Sequence, residues 1–585
     1  MTNTGTLYDI VASLFLFLGK WAEVFWRLIL IIALLGDLYF LQQARKEKRI
    51  SGWLFLSFNL LCFILLRLPS FAANELNADE GEWIAGASTL SFDPRFWLSV
   101  DGTTSGPLNI FPLTIISKLG IPIGFASARF FKMLVFDFPM ILCVYHCIKG
   151  IADKLSAMLS VFLLTIFLGA LVQKDIYAYG SENVPMFLIA VELLLLSVSL
   201  SKPFFAINIF SGLIVGMLPF SKLQSAYIAV LLGITHFSVI IFWHSNDLKK
   251  KLLQGSTFVI SAITPLIVLL VYLKANHLTD DFLQSYVFNN ISYTAKISML
   301  QTWMMPILLC KKVKGLALLF AITLAFFLFA LINLSKELHS IAKKEKAISI
   351  FILLFLLISW YSIGKPGRGF EHYLNFIYLP FVVSCGYSYF LIRQYTPASV
   401  FTKRYIPSII CFLIVFQFCV VFYNGNYLIQ RLVLHGKVRT NPICNEIKKL
   451  RKNSEDRLVV WGWQITDTGW GSHNKYYLES DLIQGTRESH SERQQSTFEQ
   501  NNSKTLAQFE YYRNRYMGDI RKNRPIFFID LNSSVAGLFP ELSHYIDSNY
   551  VKMNQWQQFH HDTIPITSVL YVRNERYNAM IKHNM

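Results

Sequence analysis

The stretch GWLFLSFNLLCFILLRLPSFAANELNADEGEWIAGAS, Gly52 to Ser88, decides how the chain is built. Its first part, 52–70, is apolar enough to cross a bilayer, because about 20 helical residues at 1.5 Å rise span roughly 30 Å of hydrocarbon. About eight positions further on stand three acids, Asp79, Glu80 and Glu82, among small and apolar residues. Carboxylates placed there either face water as a solvated loop or are held beside the membrane for a chemical reason.

The same apolar signature recurs along the chain. Of its 585 residues 53% are hydrophobic, 15% aromatic and 16% charged, and the mean hydropathy is +0.40, the composition of a membrane protein. Spans are expected near 22–42, 52–70, 125–148, 155–172, 184–200, 203–219, 224–243, 255–273, 316–335, 347–363, 373–393 and 405–424, about twelve in all. Tyr8 to Leu41 is nearly unbroken in its apolarity and holds either one tilted helix or a surface helix followed by a span. It lacks the cationic prelude of a cleaved signal peptide.

Five basic loops fall on one side of these spans: RKEKR (Arg45 to Arg49), KGIADK (Lys149 to Lys154), DLKKK (Asp247 to Lys251), SKELHSIAKKEK (Ser335 to Lys346) and FTKR (Phe401 to Arg404). The positive-inside rule makes that side cytoplasmic. The acidic stretch, the loops around Tyr177, Asp280 and Arg368, and everything after about residue 425 then lie outside. CKKVK (Cys310 to Lys314) dissents, because it too falls outside. The net charge of +17 therefore speaks of topology and anionic lipid, and nucleic acid is not an expected partner. Six of the eight cysteines sit in expected spans; Cys310 and Cys444 do not, and without a CxxC they imply no disulfide framework beyond one bridge between themselves.

The chain divides into a transmembrane module, 1–425, and a soluble extracytoplasmic α/β domain, 426–585. Within the module, 71–124 is a first outer loop, and its part from Pro107 to Leu119 has the pattern of a helix lying along the interface. In the second domain RLVVWGW (Arg457 to Trp463), PIFFID (Pro525 to Asp530) and TSVLYVRN (Thr567 to Asn574) read as strands, with helices at Asn445 to Lys452 and Thr497 to Arg521. Neither a P-loop nor a Rossmann glycine fingerprint is present, so cytosolic nucleotide chemistry has no seat.

Four more outer stretches carry polar chemistry. IYAYGSENVP (Ile176 to Pro185) offers Tyr179 and Glu182, and GLIVGMLPFSKLQ (Gly212 to Gln224) offers Lys222 and Gln224. DDFLQSYVFNNISY (Asp280 to Tyr293) is aromatic and polar, and GKPGRGFEHYLNF (Gly364 to Phe376) puts Lys365, Arg368, Glu371, His372 and Tyr373 at the mouth of a span. Singly each has an ordinary explanation: Lys222 and Arg368 as interfacial snorkelers, His372 as a helix cap. Their gathering on one side is what informs.

Together these segments resemble the membrane glycosyltransferases of the GT-C superfamily, in particular the bacterial relatives of protein O-mannosyltransferases and of the aminoarabinose transferase that modifies lipid A. The resemblance rests on Asp79-Glu80, the GSENVP step, the LPFSKLQ step, PGRGFEHY and the WGW strand. It implies a mainly α, polytopic GT-C helical bundle of about twelve spans in the bacterial cytoplasmic membrane, with its active site outside. It also implies an enzyme that takes a sugar from a polyprenyl-phosphate carrier and passes it to a lipid, glycan or protein acceptor, with Asp79 as base and Glu80 as its neighbour.

The chemistry agrees with that reading. A phosphate monoester is a good leaving group, ionising near pH 6, so one carboxylate that deprotonates the acceptor suffices, where glycosidases need a second carboxyl as acid. A single displacement inverts the anomeric centre. Arg368, Lys222 and Lys365 are the expected donor-phosphate cations, and Glu182, Tyr179, Gln224, His372 and Tyr373 the expected pocket. No cofactor is expected, since Asp79-Glu80 lacks a spaced DxD, although acids at 79, 80 and 82 could ligate a divalent ion.

The alternatives are a polyprenyl-linked saccharide transporter or flippase, and an O-antigen-type ligase using a diphosphate-linked donor. The first is disfavoured by spans that read as nearly free of ionisable residues at their centres. The outer domain reads either as a scaffold or as an acceptor platform with Trp461, Trp463, Trp470, Tyr476 and Tyr477 stacking on sugars.

Overall fold

The computed structural model describes residues 6–46, 51–171, 173–201, 204–243, 247–294, 297–313, 316–336, 343–395, 415, 419–436, 441–453, 455–462, 464–466, 469–471, 474–489, 503–531, 533–560 and 564–584. Helices dominate. In chain order the principal ones are α1 (Thr6–Leu18), α2 (Trp21–Arg45), α3 (Gly52–Phe71), α4 (Ala78–Phe92), α5 (Phe125–Ile151), α6 (Lys154–Ala170), α7 (Lys174–Tyr177), α8 (Asn183–Ser201), α9 (Phe205–Ser221), α10 (Leu223–Phe242), α11 (Leu248–Ala275), α12 (Met299–Lys312), α13 (Leu316–Lys336), α14 (Lys343–Gly364), α15 (Glu371–Tyr395) and α16 (Ser503–Asn523).

Among the described residues eight helices, α2, α3, α5, α8, α10, α11, α14 and α15, are long and apolar enough to cross a membrane. The expected spans at 155–172, 203–219 and 316–335 fall on the helices α6, α9 and α13, whereas 405–424 lies largely outside the described residues. The Tyr8 to Leu41 stretch resolves into two helices, broken at Gly19 with φ +52°, a conformation glycine adopts without steric cost.

Burial orders the bundle. Every residue of α6 from Leu155 to Ala170 is buried, as is every residue of α15 from Asn375 to Ser388. The two meet closely, with Ser160 Oγ donating to the Val382 carbonyl at 2.9 Å. At the periphery α11 leaves Ile260, Ile267, Val268 and Val271 exposed, a face suited to lipid. Its inner side sits against α9 at Gly216, where a Cβ would lie 2.1 Å from the Ala262 carbonyl oxygen. Small residues let helix backbones approach in this way.

The two ends of the bundle differ in charge. At one end Arg393 pairs with Asp153 at 2.5 Å, joining two of the basic loop regions. At the other lie the acidic stretch and its companions, and the dissenting cluster is there too, because Lys312 Nζ donates to the Gly369 carbonyl at 2.8 Å.

Two expectations need correction. Pro107 to Leu119 is three short turns, Pro107–Ile110, Phe111–Leu113 and Thr114–Lys118, because Pro107 and Pro112 each open a new turn and Pro112 denies the first one a continuing N–H. The spans also contain more ionisable groups than a hydropathy window suggests. Glu192 of α8 lies 3.0 Å from His236 Nδ1 of α10 and accepts from Ser211 Oγ of α9 at 2.6 Å, and the Glu and His side chains are wholly buried. Asp37 of α2 accepts from Asn59 of α3 at 2.8 Å. Such residues escaped notice because one ionisable group barely lowers a window mean and its partners sit on other helices.

After residue 456 the chain forms a five-stranded sheet of order β4-β1-β5-β7-β6: β1 (Arg457–Trp461), β4 (Ile483–Gln484), β5 (Phe527–Leu531), β6 (Tyr550–His560) and β7 (Ile564–Arg573), while β2 (Gln464–Thr466) and β3 (Gly469–Gly471) make a separate hairpin. β4, β1 and β5 are parallel; β7 and β6 run antiparallel. Alternation divides β1 between two cores: Leu458 and Val460 pack with Ile443, Ile447, Tyr476 and Tyr477, and Val459 and Trp461 with Met517 and Ile520 of α16.

Candidate functional site

The acids of the opening stretch sit at the start of α4. Asn77 caps that helix, its Oδ1 accepting from the Asp79 N–H at 3.0 Å, so both Asp79 and Glu80 occupy the first turn where helix N–H groups favour negative charge. One residue apart on a helix, they point about 100° from each other, and their surroundings diverge.

Glu80 is wholly buried and saturated. Arg129 of α5 donates to it through Nε at 2.8 Å and Nη2 at 2.5 Å, and the same guanidinium donates to the carbonyls of Ser70, Ala73 and Asn74 at 2.6, 2.6 and 2.5 Å. Glu80 also accepts from the backbone N–H groups of Leu76 at 3.2 Å and Tyr179 at 2.8 Å. Tyr179 is buried, its hydroxyl donating to the Asn109 carbonyl at 2.7 Å. Both residues brace the site from behind and do not line it.

Asp79 faces the other way, among charges from four elements. Burial pushes its carboxyl above the usual aspartate range; His372 and Lys222 pull it down, and Glu182 and Asp175 push it up. Lys222, just past the end of α9, donates to Ser181 Oγ at 2.7 Å and to Glu182, and its Nζ stands 5.1 Å above the Tyr373 ring. His372 Nε2 lies 3.9 Å from Glu182. Burial also pushes the Glu182 carboxyl up, but Lys222 and His372 outweigh it and hold the group below its ordinary value.

Next to this cluster opens a small cleft, lined in part by Lys222, Gln224, Asn290, Tyr293, Lys365 and Tyr373. Among the described residues its lining contains two lysines and no carboxylate. Gln224 carries both side-chain polar atoms buried and without a hydrogen-bond partner among the described residues. Arg368 is on the exposed rim, its Nε donating to the Tyr293 carbonyl at 3.0 Å and its guanidinium 4.8 Å from the Tyr293 ring. It is therefore one residue removed from the lining. Tyr373 connects the two parts, lining the cleft while its hydroxyl feels the charges of Glu182 and Asp79.

The sequence reading missed Asn77, Gln173 and Asp175. Gln173 Nε2 donates to Asp175 Oδ2 at 3.0 Å and to Glu371 at 2.8 Å, while Asn77 donates to the other Asp175 oxygen, so one amide ties two loops together. The signal was present as polar residues directly upstream of the quoted IYAYGSENVP. Two further buried cations were missed as well: Arg67 donates to the carbonyls of Leu168, Ile176 and Tyr177 at 3.3, 3.1 and 2.8 Å, and Lys132 to those of Ile176 and Ala178.

The outer aromatics are core. Trp461, Tyr476 and Tyr477 are buried, while Trp463 and the side chain of Trp470 lie outside the described residues. Cys310 and Cys444 are both free and buried. Among the described residues no group of three or more His, Cys, Asp or Glu is arranged to hold a metal ion.

No family model and no curated protein matches the chain. Among solved structures it is similar to the Archaeoglobus fulgidus oligosaccharyltransferase in complex with zinc and sulfate, at 11% identity and TM-score 0.43, covering 89% of this chain and 75% of that one. The apo form of the same protein gives 10% identity and TM-score 0.44, with 90% and 77% covered. Similarity of this degree assigns neither activity nor substrate.

Proposed function

We propose that the chain is an inverting glycosyltransferase of the bacterial cytoplasmic membrane, taking a sugar from a polyprenyl-phosphate carrier and passing it to a hydroxyl acceptor at the outer face. One observation carries the reading: a carboxylate, Asp79, stands in the same charged cluster as Lys222, and Lys222 in turn lines a cleft together with Lys365. Base and leaving-group cations are the two things a monophosphate-sugar displacement requires.

In that displacement Asp79 takes the acceptor proton as the acceptor oxygen forms its bond to the anomeric carbon. The bond from that carbon to the phosphate oxygen breaks, and its electron pair leaves on the phosphate. Lys365, which has no carboxylate beside it in the cleft lining among the described residues, and Lys222 meet the charge that develops there. Lys222 is shared with Glu182, which holds its ammonium in place. Gln224 offers an amide donor and acceptor to sugar hydroxyls, and the Tyr293 and Tyr373 faces offer stacking surfaces.

Supplying monophosphate- and diphosphate-linked carriers to the purified chain tests the donor. Consumption of the monophosphate carrier with inversion is expected, and consumption of only the diphosphate carrier would move the reading to a ligase. EDTA is expected to leave transfer intact; loss restored by a divalent ion would put a metal beside Asp79 and Asp175.

A transporter is the second reading, favoured by the buried Glu192–His236 pair within the spans. Vesicles loaded with lipid-linked sugar and no acceptor separate the two, since a transferase moves nothing across them.

A further inference from the structure

We infer that Arg515 and Arg487, both in the C-terminal region, are positioning residues of the cleft, fastening together the two outer loops that line it. The inference rests on the reading of the cleft as the donor site.

The first loop precedes Thr104, which lines the cleft, and Ser105, which bridges to Lys222. Arg515 Nη2 donates to Asp101 in this loop at 2.6 Å, Arg487 Nη1 donates to the Trp97 carbonyl at 2.9 Å, and the Arg487 carbonyl accepts from the Asp101 N–H at 2.7 Å. The second loop precedes Asn290 and Tyr293, also in the lining. Arg515 Nη1 donates to Ser285 Oγ at 2.8 Å, Arg487 Nη1 to Asp281 at 2.7 Å, and the Tyr512 hydroxyl to the Gln284 carbonyl at 3.1 Å. Adjacent to Ser285, Tyr286 donates to the Pro219 carbonyl at 2.5 Å, three residues before Lys222. The two loops meet where Asn290 Nδ2 donates to the Thr104 carbonyl at 3.4 Å.

Each arginine thus holds both loops at once and is itself held from the C-terminal region, Arg515 by Glu488 and Arg487 by Asp519 at 2.8 Å. Asp101 and Glu488 are almost wholly buried, and the Arg515 side chain is 6% exposed. A covering domain has no need of buried guanidiniums, whose desolvation is costly and is offset only by good geometry. A planar fork reaching two loops from a third element is what fixing their separation demands. Loosening either loop moves the lining and Lys222 together, and a 1 Å misplacement is enough to lose much of a bound geometry.

The test titrates undecaprenyl phosphate in detergent micelles onto the full-length chain and follows backbone amide exchange in 101–106 and 283–290. In Arg515→Met, binding is expected to weaken about tenfold or more, with faster exchange in both loops and unchanged exchange in α6. Arg515→Lys keeps the charge without the fork, and is expected to show the same loop exchange with part of the binding restored; it carries the test if the methionine variant fails to fold. Arg524→Met, which removes an exposed pair with Glu575, is expected to match the unaltered chain. Unchanged binding and unchanged loop exchange in a folded Arg515 variant would overturn the inference. If Lys365→Met and Lys222→Met bind the lipid as the unaltered chain does, the donor-site reading falls instead, and loop exchange alone then decides whether the arginines hold the loops.

Discussion

Two sets of cations lie at the acidic end of the bundle, and their surroundings differ. Arg67, Arg129 and Lys132, behind the site, spend their N–H groups on backbone carbonyls and on Glu80. Lys222 and Lys365, in front, border open volume. The first set fixes where the loops at 70–80 and 174–180 run; the second is left with capacity to meet an anion. Residue type does not separate scaffold from site here. What each set borders does, packed backbone carbonyls for the first and the cleft for the second, and Glu80 and Asp79 likewise meet different surroundings from a single helical turn.

The sharpest way to break this contrast is Asp79→Asn. If the Asp79 carboxylate is the base, transfer should fall by about 10² to 10⁴-fold while the protein folds and inserts normally; full turnover by the mutant would end the enzymatic reading. Arg129→Met should act on the other side of the contrast. Leaving Glu80 buried and unpaired costs about 3 to 5 kcal/mol, so thermal unfolding in detergent should shift sharply downward, whatever becomes of activity. Lys365→Met should spare stability and lower transfer by roughly a hundredfold, as losing a charge-stabilising donor does, with initial-rate kinetics as the check.

The smallest effect concerns pH. Asp79 must be ionised to accept a proton, and burial raises its carboxyl above the ordinary range, so transfer should be lost on acidification at a higher pH than an aspartate near 3.9 would give. His372 is the largest charge opposing that rise. His372→Gln should therefore move the acid limb of the rate profile further up, and a limb that moves down would show that His372 does not act on Asp79.

Much of the fold was legible because it is written in composition and period. Apolar runs marked the helices, RLVVW, PIFFID and TSVLYVR coincide with β1, β5 and β7, and Pro442–Leu450 and α16 lie where helices were expected. β6 was not seen, since the alternation that begins at Val551-Lys552-Met553 is cut short by a register shift between Lys552 and Asn554 and by the glutamines that follow. Of the site, the gathering of Asp79, Glu182, Lys222, His372 and Tyr373 was legible from motifs falling on one side of the spans. The burial of Glu80 against Arg129 was not, because it depends on a residue 49 positions away, and no local pattern encodes that. Arg368 was named from the sequence, but its place on the rim beside Tyr293 was not legible: it follows Gly367 with φ +66°, and the turn sets its direction.

The ion pair between Asp101 and Arg515 spans 414 positions of sequence. A chain made from its N-terminus at about 5 to 20 residues per second therefore makes the segment carrying Asp101 tens of seconds before the arginine that clasps it. Truncation ahead of Arg515 would leave the segments around Asp101 and Ser285 without the side chain that joins them, so their final arrangement waits on synthesis of the tail.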